Sequence, residues 1–387
     1  ETDRTTGTGR RMTLARATPK RIPGRIRGRI RGRIRATGFP RGRYAGIAMA
    51  VVAAVLGACA PLVRAPGPPI DKPLLTAGEF LTADGEILPV KSWKPAGGAP
   101  KAVIVALHGF NDYSNFFEAP GTFLAERGIL TYAYDQRGFG AAPGHGLWPG
   151  IKALGDDLGT FAGLVRDRHP GTPLFLLGDS MGGAVILVAA GNGGGGLDVD
   201  GVILSAPAVW GRITMTWYQR LGLWIGVRLM PGVLVTGQSL NIKPSDNIEM
   251  LKALGRDPLV IKATRIDAIH GLTNLMDRAL DRAPDFRLPA LILYGEKDEI
   301  IPKKPTRLML ERLPRTETGK RRVALYENGY HMLLRDLKAE VAWRDIAHWI
   351  ADPDTPLPSG ADINAEARLA VGGTGAAAFV YFSARAT

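Results

Sequence analysis

A serine flanked by glycines, in the sequence GDSMG at 178–182, is the first candidate for chemistry in this chain. An apolar run of strand type precedes it at 174–177, and an apolar helical run, AVILVAA, follows it. Glycines on both sides of a serine permit a sharp strand-to-helix turn that lifts the hydroxyl clear of the backbone. The pattern predicts that Ser180 is a nucleophile, with the start of the next helix favouring a developing oxyanion.

A serine hydroxyl needs a base in contact with it and a group that orients the base. His331 follows the last predicted strand, and Asp298 follows the strand before it. The chain order Ser180, Asp298, His331 is one of the known orders of a serine, acid and histidine triad. Glu296 and Glu299 are alternative acids. The spacing favours Asp298 as the acid and His331 as the base.

A second loop has the residue types of an oxyanion-binding turn. The sequence HGFN at 108–111 directly follows the apolar run at 102–107. A backbone N–H from such a turn, together with one from the residue after the nucleophile, stabilises a tetrahedral oxyanion. The amides of Phe110 and Met181 are therefore the predicted pair. A plain glycine turn is the alternative for the first of them.

The elements that must position these residues alternate between short apolar strands and amphipathic helices. Continuous apolar strands separated by helices are typical of a mostly parallel sheet with helices on both faces, and so of an α/β fold. A hairpin is predicted around 80–93, and helices over 156–168 and 341–350. The predicted sheet strands are 102–107, 129–134, 174–177, 201–204, 291–294 and 323–326.

Some eighty residues between the strands that end near 205 and begin at 291 contain no strand pattern. An insertion of this length predicts a helical subdomain, a lid at about 210–286, over the edge of the sheet. Its apolar residues either line a substrate-binding tunnel, rest on a bilayer or are simply buried in the fold. The candidate substrate-binding residues are Trp210, Trp217, Leu221 and Trp224.

The start of the chain differs from the rest in its positive charge and contains the one cysteine. Of the net charge of +13, residues 1–58 hold +12, from 14 bases and two acids, so the remainder carries +1. The bulk of the protein therefore lacks the basic footprint of a nucleic-acid binder. With Cys59 as its one cysteine, the chain forms no internal disulfide. The basic, then apolar run before Cys59 is typical of a signal segment, and LGAC at 56–59 resembles a bacterial lipobox.

This leader predicts a bacterial lipoprotein that is lipidated on Cys59 and located in the cell envelope, or a secreted protein. An uncleaved anchor helix is the alternative, since about 20 apolar residues can just span a bilayer. The predicted organisation is a leader at 1–58, a linker at 59–77, a catalytic domain at 78–352 and a low-complexity tail at 353–387. The sequence does not indicate an oligomeric state.

Several motifs in combination resemble the monoacylglycerol lipase and lysophospholipase branch of the α/β-hydrolases, across about 78–352. The resemblance rests on LHGFNDYSNFF at 107–117, YDQRGFGAAPG at 134–144, FLLGDSMGGA at 175–184, LILYGEKDEIIP at 291–302 and ENGYHMLLRD at 327–336. It implies hydrolysis of a single-chain lipid ester beneath a lid, with no metal and no organic cofactor. Asp179 departs from the histidine or glutamate usual beside the nucleophile. A proline-releasing peptidase and a non-catalytic membrane-tethered binding module stay open as alternatives.

Overall fold

A mostly parallel sheet forms the centre of the chain in this computed structural model, which describes residues 60–191, 197–237, 242–314 and 321–371. The strands are, in chain order, β1 (Leu74–Leu75), β2 (Glu79–Leu81), β3 (Ile87–Trp93), β4 (Ala102–Leu107), β5 (Ile129–Tyr134), β6 (Leu174–Asp179), β7 (Gly201–Ser205), β8 (Leu234–Val235), β9 (Thr264–Arg265), β10 (Ala290–Gly295) and β11 (Arg321–Tyr326). Nine of them form one sheet in the order β1-β2-β3-β5-β4-β6-β7-β10-β11. Strands β1, β2 and β3 pair antiparallel, and the sheet is parallel from β5 to β11.

Strand β4 shows why the central strands are apolar throughout. All six of its residues are buried. Val103 and Val105 contribute to one hydrophobic core, and Ile104 and Ala106 contribute to a second core on the other face. Alternate side chains of a strand point to opposite faces, so a sheet covered on both sides needs apolar residues at every position.

Helices cover both faces of this sheet, as the sequence predicted. They are α1 (Glu118–Ala125), α2 (Ile151–Arg168), α3 (Met181–Ala190), α4 (Trp217–Leu229), α5 (Ile248–Arg256), α6 (Ile266–Arg282), α7 (Lys303–Arg312), α8 (Ala339–Ala351) and α9 (Ala365–Val371). Helices α2, α3, α6 and α7 contribute buried residues to one core, while α1 and α8 contribute to the other. The predicted α/β class with a covered, mostly parallel sheet is confirmed.

The lid differs from its prediction in one respect. Helices α4, α5 and α6 make it mostly helical, but β8 and β9 pair antiparallel within it, with Val235 opposite Thr264. The expectation that this interval contains no strand was therefore wrong. Strands of two residues are too short to give a periodic apolar signal, which is why the sequence did not reveal them.

The described part of the predicted linker, 60–77, is mostly exposed but is hydrogen-bonded to the domain at several points. The Arg64 N–H donates to the carbonyl of Trp148 at 2.8 Å, and Leu75 in β1 is buried. The domain therefore begins before residue 78, and this boundary is corrected. Residues 1–58 and Cys59 lie outside the described part of the chain. Among the described residues, none of the helices combines the length and the apolarity needed to cross a bilayer.

The C-terminal boundary at 352 is also too early. Leu357 and Leu369 are buried, and the Leu325 N–H in β11 donates to the carbonyl of Ala361 at 2.8 Å. Arg322 forms an ion pair with Asp362. Residues 353–371 are thus part of the folded domain and not a loose tail. Their Pro, Gly and Ala content concealed apolar residues that are spaced too irregularly to form a pattern.

Candidate active site

Ser180 occupies the turn between β6 and α3 in a strained backbone conformation. Its φ is 48° and its ψ is −109°, in the region of positive φ that is costly for any residue except glycine. Two backbone hydrogen bonds hold the turn, from the Ser180 N–H to the Ser205 carbonyl and from the Ala208 N–H to the Ser180 carbonyl, each 2.8 Å. Strain that the surrounding structure maintains is typical of functional sites.

The glycines around Ser180 are required because β6, α3 and the end of β4 approach one another closely. A Cβ on Gly178 would lie 2.5 Å from the backbone of Gly182 and Gly183. A Cβ on Gly182 would overlap the carbonyl oxygen of Leu107. These contacts are the physical reason for the glycines of the sequence motif.

The structure brings the three predicted catalytic side chains into one hydrogen-bonded chain. The Nε2 atom of His331 lies 3.0 Å from Ser180 Oγ, and Nδ1 of His331 lies 2.8 Å from Asp298 Oδ2. Asp298 and His331 follow β10 and β11, which are parallel neighbours, so both loops leave the same edge of the sheet. All three residues are buried. This is the geometry in which an imidazole can take the serine proton while a carboxylate fixes its orientation.

Asp298 is held in place by its own loop. Its Oδ1 accepts hydrogen bonds from the N–H groups of Ile300 at 2.8 Å and Ile301 at 2.9 Å, leaving Oδ2 for His331. The two alternative acids are engaged elsewhere. Glu296 forms ion pairs with Lys303 and Arg368, and Glu299 accepts a hydrogen bond from the Lys243 N–H.

The surroundings of His331 favour its protonated form. Burial acts to lower the pKa of His331, but the adjacent charge and hydrogen bond of Asp298, with a further contribution from Asp179, raise the pKa above its usual value. An imidazole that is stabilised as imidazolium suits a base that must hold a proton during the reaction.

Asp179 is a buried carboxyl directly before the nucleophile. Its Oδ1 accepts a hydrogen bond from Ser205 Oγ at 2.9 Å, and the two residues are register partners in β6 and β7. Burial raises the pKa of Asp179 to about 7, although His331 and the Ser205 hydrogen bond partly oppose the shift. The carboxyl therefore exchanges its proton near neutral pH, next to the reacting groups.

His108 stabilises the loop after β4 instead of contacting Ser180. Its Nε2 accepts the Gln136 N–H at 3.0 Å, so the proton of this neutral ring lies on Nδ1, which donates to the Gly109 carbonyl at 2.8 Å. Gln136 in turn donates to the His108 carbonyl at 2.9 Å. Four other histidines have hydrogen-bond partners away from Ser180, namely His145, His169, His270 and His348.

The predicted oxyanion residues lie on either side of the nucleophile. A Cβ on Gly109 would lie 3.4 Å from the Cβ of Ser180, which places the backbone leading to Phe110 beside it. Met181 is the first residue of α3, where an N–H has no acceptor within the helix. The donation of these two amides to an oxyanion stays a prediction.

The loop that carries Phe110 is attached to the lid. Asn111 has a φ of 67° and its amide donates to Thr264 Oγ1 in β9 at 2.7 Å. The Ile261 N–H donates to the Asn111 carbonyl at 3.0 Å. The position of the predicted oxyanion turn therefore depends on contacts from the lid.

Ser180 and His331 open onto a mainly apolar pocket of about 390 Å³ beneath the lid. This volume lies within the range of pockets that bind small molecules, about 300 to 1,000 Å³. Its lining is dominated by aliphatic, aromatic and methionine side chains, including Phe110, Trp210, Met215, Leu223, Val235, Ile269, Leu272, Met276 and Ile301.

The lid residues predicted to bind substrate fall into two groups. Trp210 is buried and lines the pocket of Ser180. Trp217, Leu221 and Trp224 are exposed on the outer side of α4 and do not line this pocket, so the tunnel alternative does not hold for them. A role for these three residues in substrate binding stays a prediction. Leu223 supplies the apolar contact from the inner side of the same helix.

Sequence reasoning missed the apolar residues that α6 contributes to the pocket. Ile269, Leu272 and Met276 recur at helical spacing and line it. Their periodicity was available as a signal but did not distinguish packing from pocket lining. Among the described residues, no cluster of three or more potential metal ligands is present.

Comparison with known proteins agrees with this geometry. The family model described as serine aminopeptidase, S33, matches residues 98–338. The monoglyceride lipase of Homo sapiens is 26% identical over 287 residues, covering 70% of this chain and 89% of that protein. The monoglyceride lipase of Mus musculus is 28% identical over 276 residues, covering 70% and 88%.

The fold is likewise similar to that of a soluble variant of monoglyceride lipase from Saccharomyces cerevisiae, solved with a substrate analog. The TM-score is 0.59 at 20% identity, covering 76% of this chain and 99% of the other. The chain belongs to the monoacylglycerol lipase branch of the serine aminopeptidase S33 family of α/β-hydrolases.

Proposed function

We propose that the protein is a carboxylic ester hydrolase that cleaves monoacylglycerols through an acyl-enzyme on Ser180. One observation carries the proposal: the hydrogen-bonded chain of Ser180, His331 and Asp298 opens onto an apolar pocket beneath a lid. A nucleophile at the polar end of an apolar pocket suits an ester with one acyl chain.

The geometry supports a two-step reaction. His331 Nε2 takes the hydroxyl proton as Ser180 Oγ attacks the ester carbonyl, while Asp298 stabilises the imidazolium. In this reaction the amides of Phe110 and Met181, the predicted oxyanion pair, would donate hydrogen bonds to the negative oxygen. His331 then returns its proton to the departing alcohol, and water repeats the sequence on the acyl-enzyme.

The acyl chain of the substrate would occupy the pocket between the sheet and the lid. The apolar lining from α4 and α6 matches a hydrocarbon chain, and the names of the human and mouse relatives support glycerol as the alcohol. A lysophospholipid would present the same acyl chain with a larger headgroup. The ratio of the two hydrolysis rates therefore identifies the preferred alcohol.

A peptidase that releases N-terminal residues is less well supported by the pocket. Such an enzyme needs free carboxylates to bind an ammonium group. Two carboxyls line the described pocket, and each is already paired. Asp112 contacts Arg335 at 3.3 Å, and Asp179 accepts the Ser205 hydroxyl at 2.9 Å.

We also propose that the mature protein is anchored in the cell envelope through lipid on Cys59. The proposal is supported by the basic and apolar leader and by the lipobox-like LGAC at 56–59. Mass spectrometry of the protein from the membrane fraction, compared between the wild type and Cys59→Ser, shows whether Cys59 carries lipid. Unmodified wild-type Cys59 in that fraction would contradict it.

The first experiment on function measures hydrolysis of monoacylglycerols, lysophosphatidylcholine, short p-nitrophenyl esters and a proline-containing aminopeptide. Ser180→Ala is expected to abolish ester turnover and labelling by a fluorophosphonate, whereas Ser92→Ala in β3 retains both. Two results would overturn the proposal: ester hydrolysis that is unchanged in Ser180→Ala, or cleavage of the peptide that is faster than cleavage of any ester.

A further inference from the structure

A long glycine-rich loop connects β5 to α2. It spans residues 135–150, all of which the structure describes, and it contains no helix of its own. Five of its glycines have positive φ, at positions 138, 140, 144, 146 and 150. Glycine loses more backbone freedom on folding than any other residue. A loop of this composition therefore needs contacts from other segments to keep one conformation.

The glycine-rich loop supports the predicted oxyanion turn at two places. Near its start, the ring of Phe139 packs edge-on against the rings of His108 and Phe110, with 5.6 Å between centroids in both pairs. Near its end, the ring centroid of Trp148 lies 6.4 Å from that of Phe110. The position of Phe110 thus depends on the conformation of the whole loop.

Trp148 also contacts the lid. A Cβ on Gly271 in α6 would lie 2.5 Å from the indole ring, so the ring packs directly on the backbone of this helix. The next residue of α6, Leu272, lines the pocket of Ser180. Trp148 is buried and is therefore a shared contact of Phe110 and the lid.

The segment 62–64, here called the strap, is attached to the outer end of this loop. The Arg64 N–H donates to the carbonyl of Trp148 at 2.8 Å, and Val63 forms a parallel β-bridge with Trp148. The guanidinium of Arg64 forms an ion pair with Glu86 at 2.6 Å, which fixes the strap to the domain. The strap thus restrains the backbone of Trp148.

The strap is attached to the lid as well. The Leu62 N–H donates to Oδ2 of Asp267, in the first turn of α6, at 3.2 Å. Asp267 is buried and paired with Arg265 at 2.6 Å. The side chains of Leu62 and Val63 are 46% and 49% exposed, so the strap is held by its backbone and by Arg64 more than by apolar burial.

We propose that the strap is a positioning element for catalysis, which holds Trp148 against Phe110 so that the Phe110 amide meets the oxyanion. Arg64 and Trp148 act through Phe110 and do not touch the reacting atoms. The proposal rests on the proposed ester hydrolysis and assigns part of its rate to a segment far from Ser180 in sequence. Because an oxyanion donor acts in the transition state, displacing it lowers kcat and has little effect on KM.

Three variants of the full chain separate the backbone contact from other effects. Arg64→Pro removes the N–H that donates to Trp148. Arg64→Gln removes the charge and keeps this N–H. Ala65→Pro adds a proline at a residue whose N–H donates no hydrogen bond within the described parts of the chain. Hydrolysis of p-nitrophenyl butyrate is expressed per active site titrated to completion with a fluorophosphonate, so that unfolded molecules are not counted.

Arg64→Pro is expected to lower kcat by about tenfold to a hundredfold, somewhat less than outright removal of an oxyanion donor, with KM within about twofold. The affinity for a trifluoromethyl ketone, which forms an oxyanion on the serine, should fall by a similar factor because it resembles the transition state. Arg64→Gln should retain kcat within about threefold, since a partly exposed ion pair contributes little. Ala65→Pro should behave as the wild type does.

Hydrogen exchange measures the positioning without turnover. Peptides from 108–111 and 135–150 should exchange faster in Arg64→Pro than in the wild type or Ala65→Pro, whereas peptides from β6 should not change. Leu62→Pro removes the donor to Asp267 and is the second variant, in which the same two regions should loosen. It keeps the comparison available if Arg64→Pro does not fold.

Two results would contradict the proposal. Wild-type kcat per active site in Arg64→Pro, even with a lower melting temperature, would mean that the strap serves stability alone. An equal loss of kcat in Ala65→Pro would assign the effect to the added proline and not to the lost hydrogen bond. Failure of the proposed function is a separate result, since a wild-type chain without ester turnover would contradict ester hydrolysis. Unchanged exchange at 108–111 in both Arg64→Pro and Leu62→Pro would then still exclude the strap as the support of this turn.

Discussion

The hydroxyl of Ser205 donates to the carboxyl of Asp179 at 2.9 Å, directly behind the nucleophile. This hydrogen bond partly offsets the burial that raises the pKa of Asp179 to about 7. Above that pH the carboxylate is ionised, and its charge raises the pKa of His331. The two titrations are therefore coupled.

Replacing Asp179 should change the pH dependence of hydrolysis. In Asp179→Asn no negative charge forms, so the pKa of His331 falls and the neutral base persists to lower pH. We expect the acidic limb of the kcat/KM profile for a p-nitrophenyl ester to move toward acid. Ser205→Ala, which raises the pKa of Asp179 by removing a hydrogen bond, should move the limb in the same direction. If the acidic limb of Asp179→Asn stays where it is in the wild type while kcat falls, the role of Asp179 is purely structural.

Replacing the orienting carboxylate should impair the chemical step. Asp298→Asn keeps one oxygen for the Ile300 and Ile301 amides but presents a donor to His331, which then favours the wrong tautomer. We expect kcat to fall by about 10⁴-fold, the size seen when such a carboxylate becomes an amide in a serine protease, with little change in KM. Steady-state kinetics measure kcat and KM of Asp298→Asn, and Glu299→Gln is the control variant. An equal loss in the glutamate variant would show that Asp298 is not the specific partner.

Two glycine substitutions should have opposite effects. In Gly182→Ala the new methyl overlaps the Leu107 carbonyl, so β4 and α3 must separate and the Met181 amide must move. We expect loss of ester hydrolysis together with a lower melting temperature. Gly222→Ala in α4 meets nothing within 4 Å and should stabilise its helix by up to about 1 kcal/mol. Wild-type turnover by Gly182→Ala would contradict the close packing described for the turn.

The length of the acyl chain that the enzyme accepts should depend on α6. Leu272→Trp adds bulk within the pocket of Ser180 and should exclude the far end of a long chain. Losing burial of several methylenes, each worth about 0.8 kcal/mol, should lower kcat/KM for long-chain relative to butyryl monoacylglycerol by at least about tenfold. Leu221→Trp, on the outer side of α4, is the matched control and should leave that ratio unchanged. A similar shift in both variants would place the acyl chain elsewhere.

The segment after 352 should contribute to stability. Leu369 in α9 is buried, so Leu369→Ala is expected to lower the free energy of unfolding by about 2 to 5 kcal/mol. Ile363, which is mostly exposed in the same segment, should tolerate alanine within about 0.5 kcal/mol. Urea denaturation compares the two. Equal stability of the two variants would mean that the segment is only loosely attached.

The placement of Ser180, Asp298 and His331 could be predicted because each follows an apolar strand whose length the sequence makes plain. Parallel strands gather their carboxyl ends at one edge, so residues 118 and 33 positions apart along the chain meet there. The chemistry of Asp179 could not be predicted in the same way. Its partner Ser205 comes from the register between β6 and β7, which no local pattern encodes.

The orientation of the lid could not be predicted from the sequence either. Helix α4 has apolar residues on two sides, so periodicity alone does not tell which side faces the nucleophile. The structure places Leu223 inward and Trp224 outward, although they are adjacent in sequence. The packing of 353–371 escaped prediction because burial there depends on a few apolar residues among turns.

The segment after 352 also affects how molecules of this protein meet one another. Strand β11 is the last of the large sheet, and such a strand presents unpaired backbone groups that can recruit a strand from another molecule. The carbonyl of Ala361 accepts a hydrogen bond from the N–H of Leu325, and α9 lies against the same strand. At the opposite border β1 is only two residues long. The cover over β11 and the shortness of β1 thus protect the two borders of the sheet against fibril-like association between molecules.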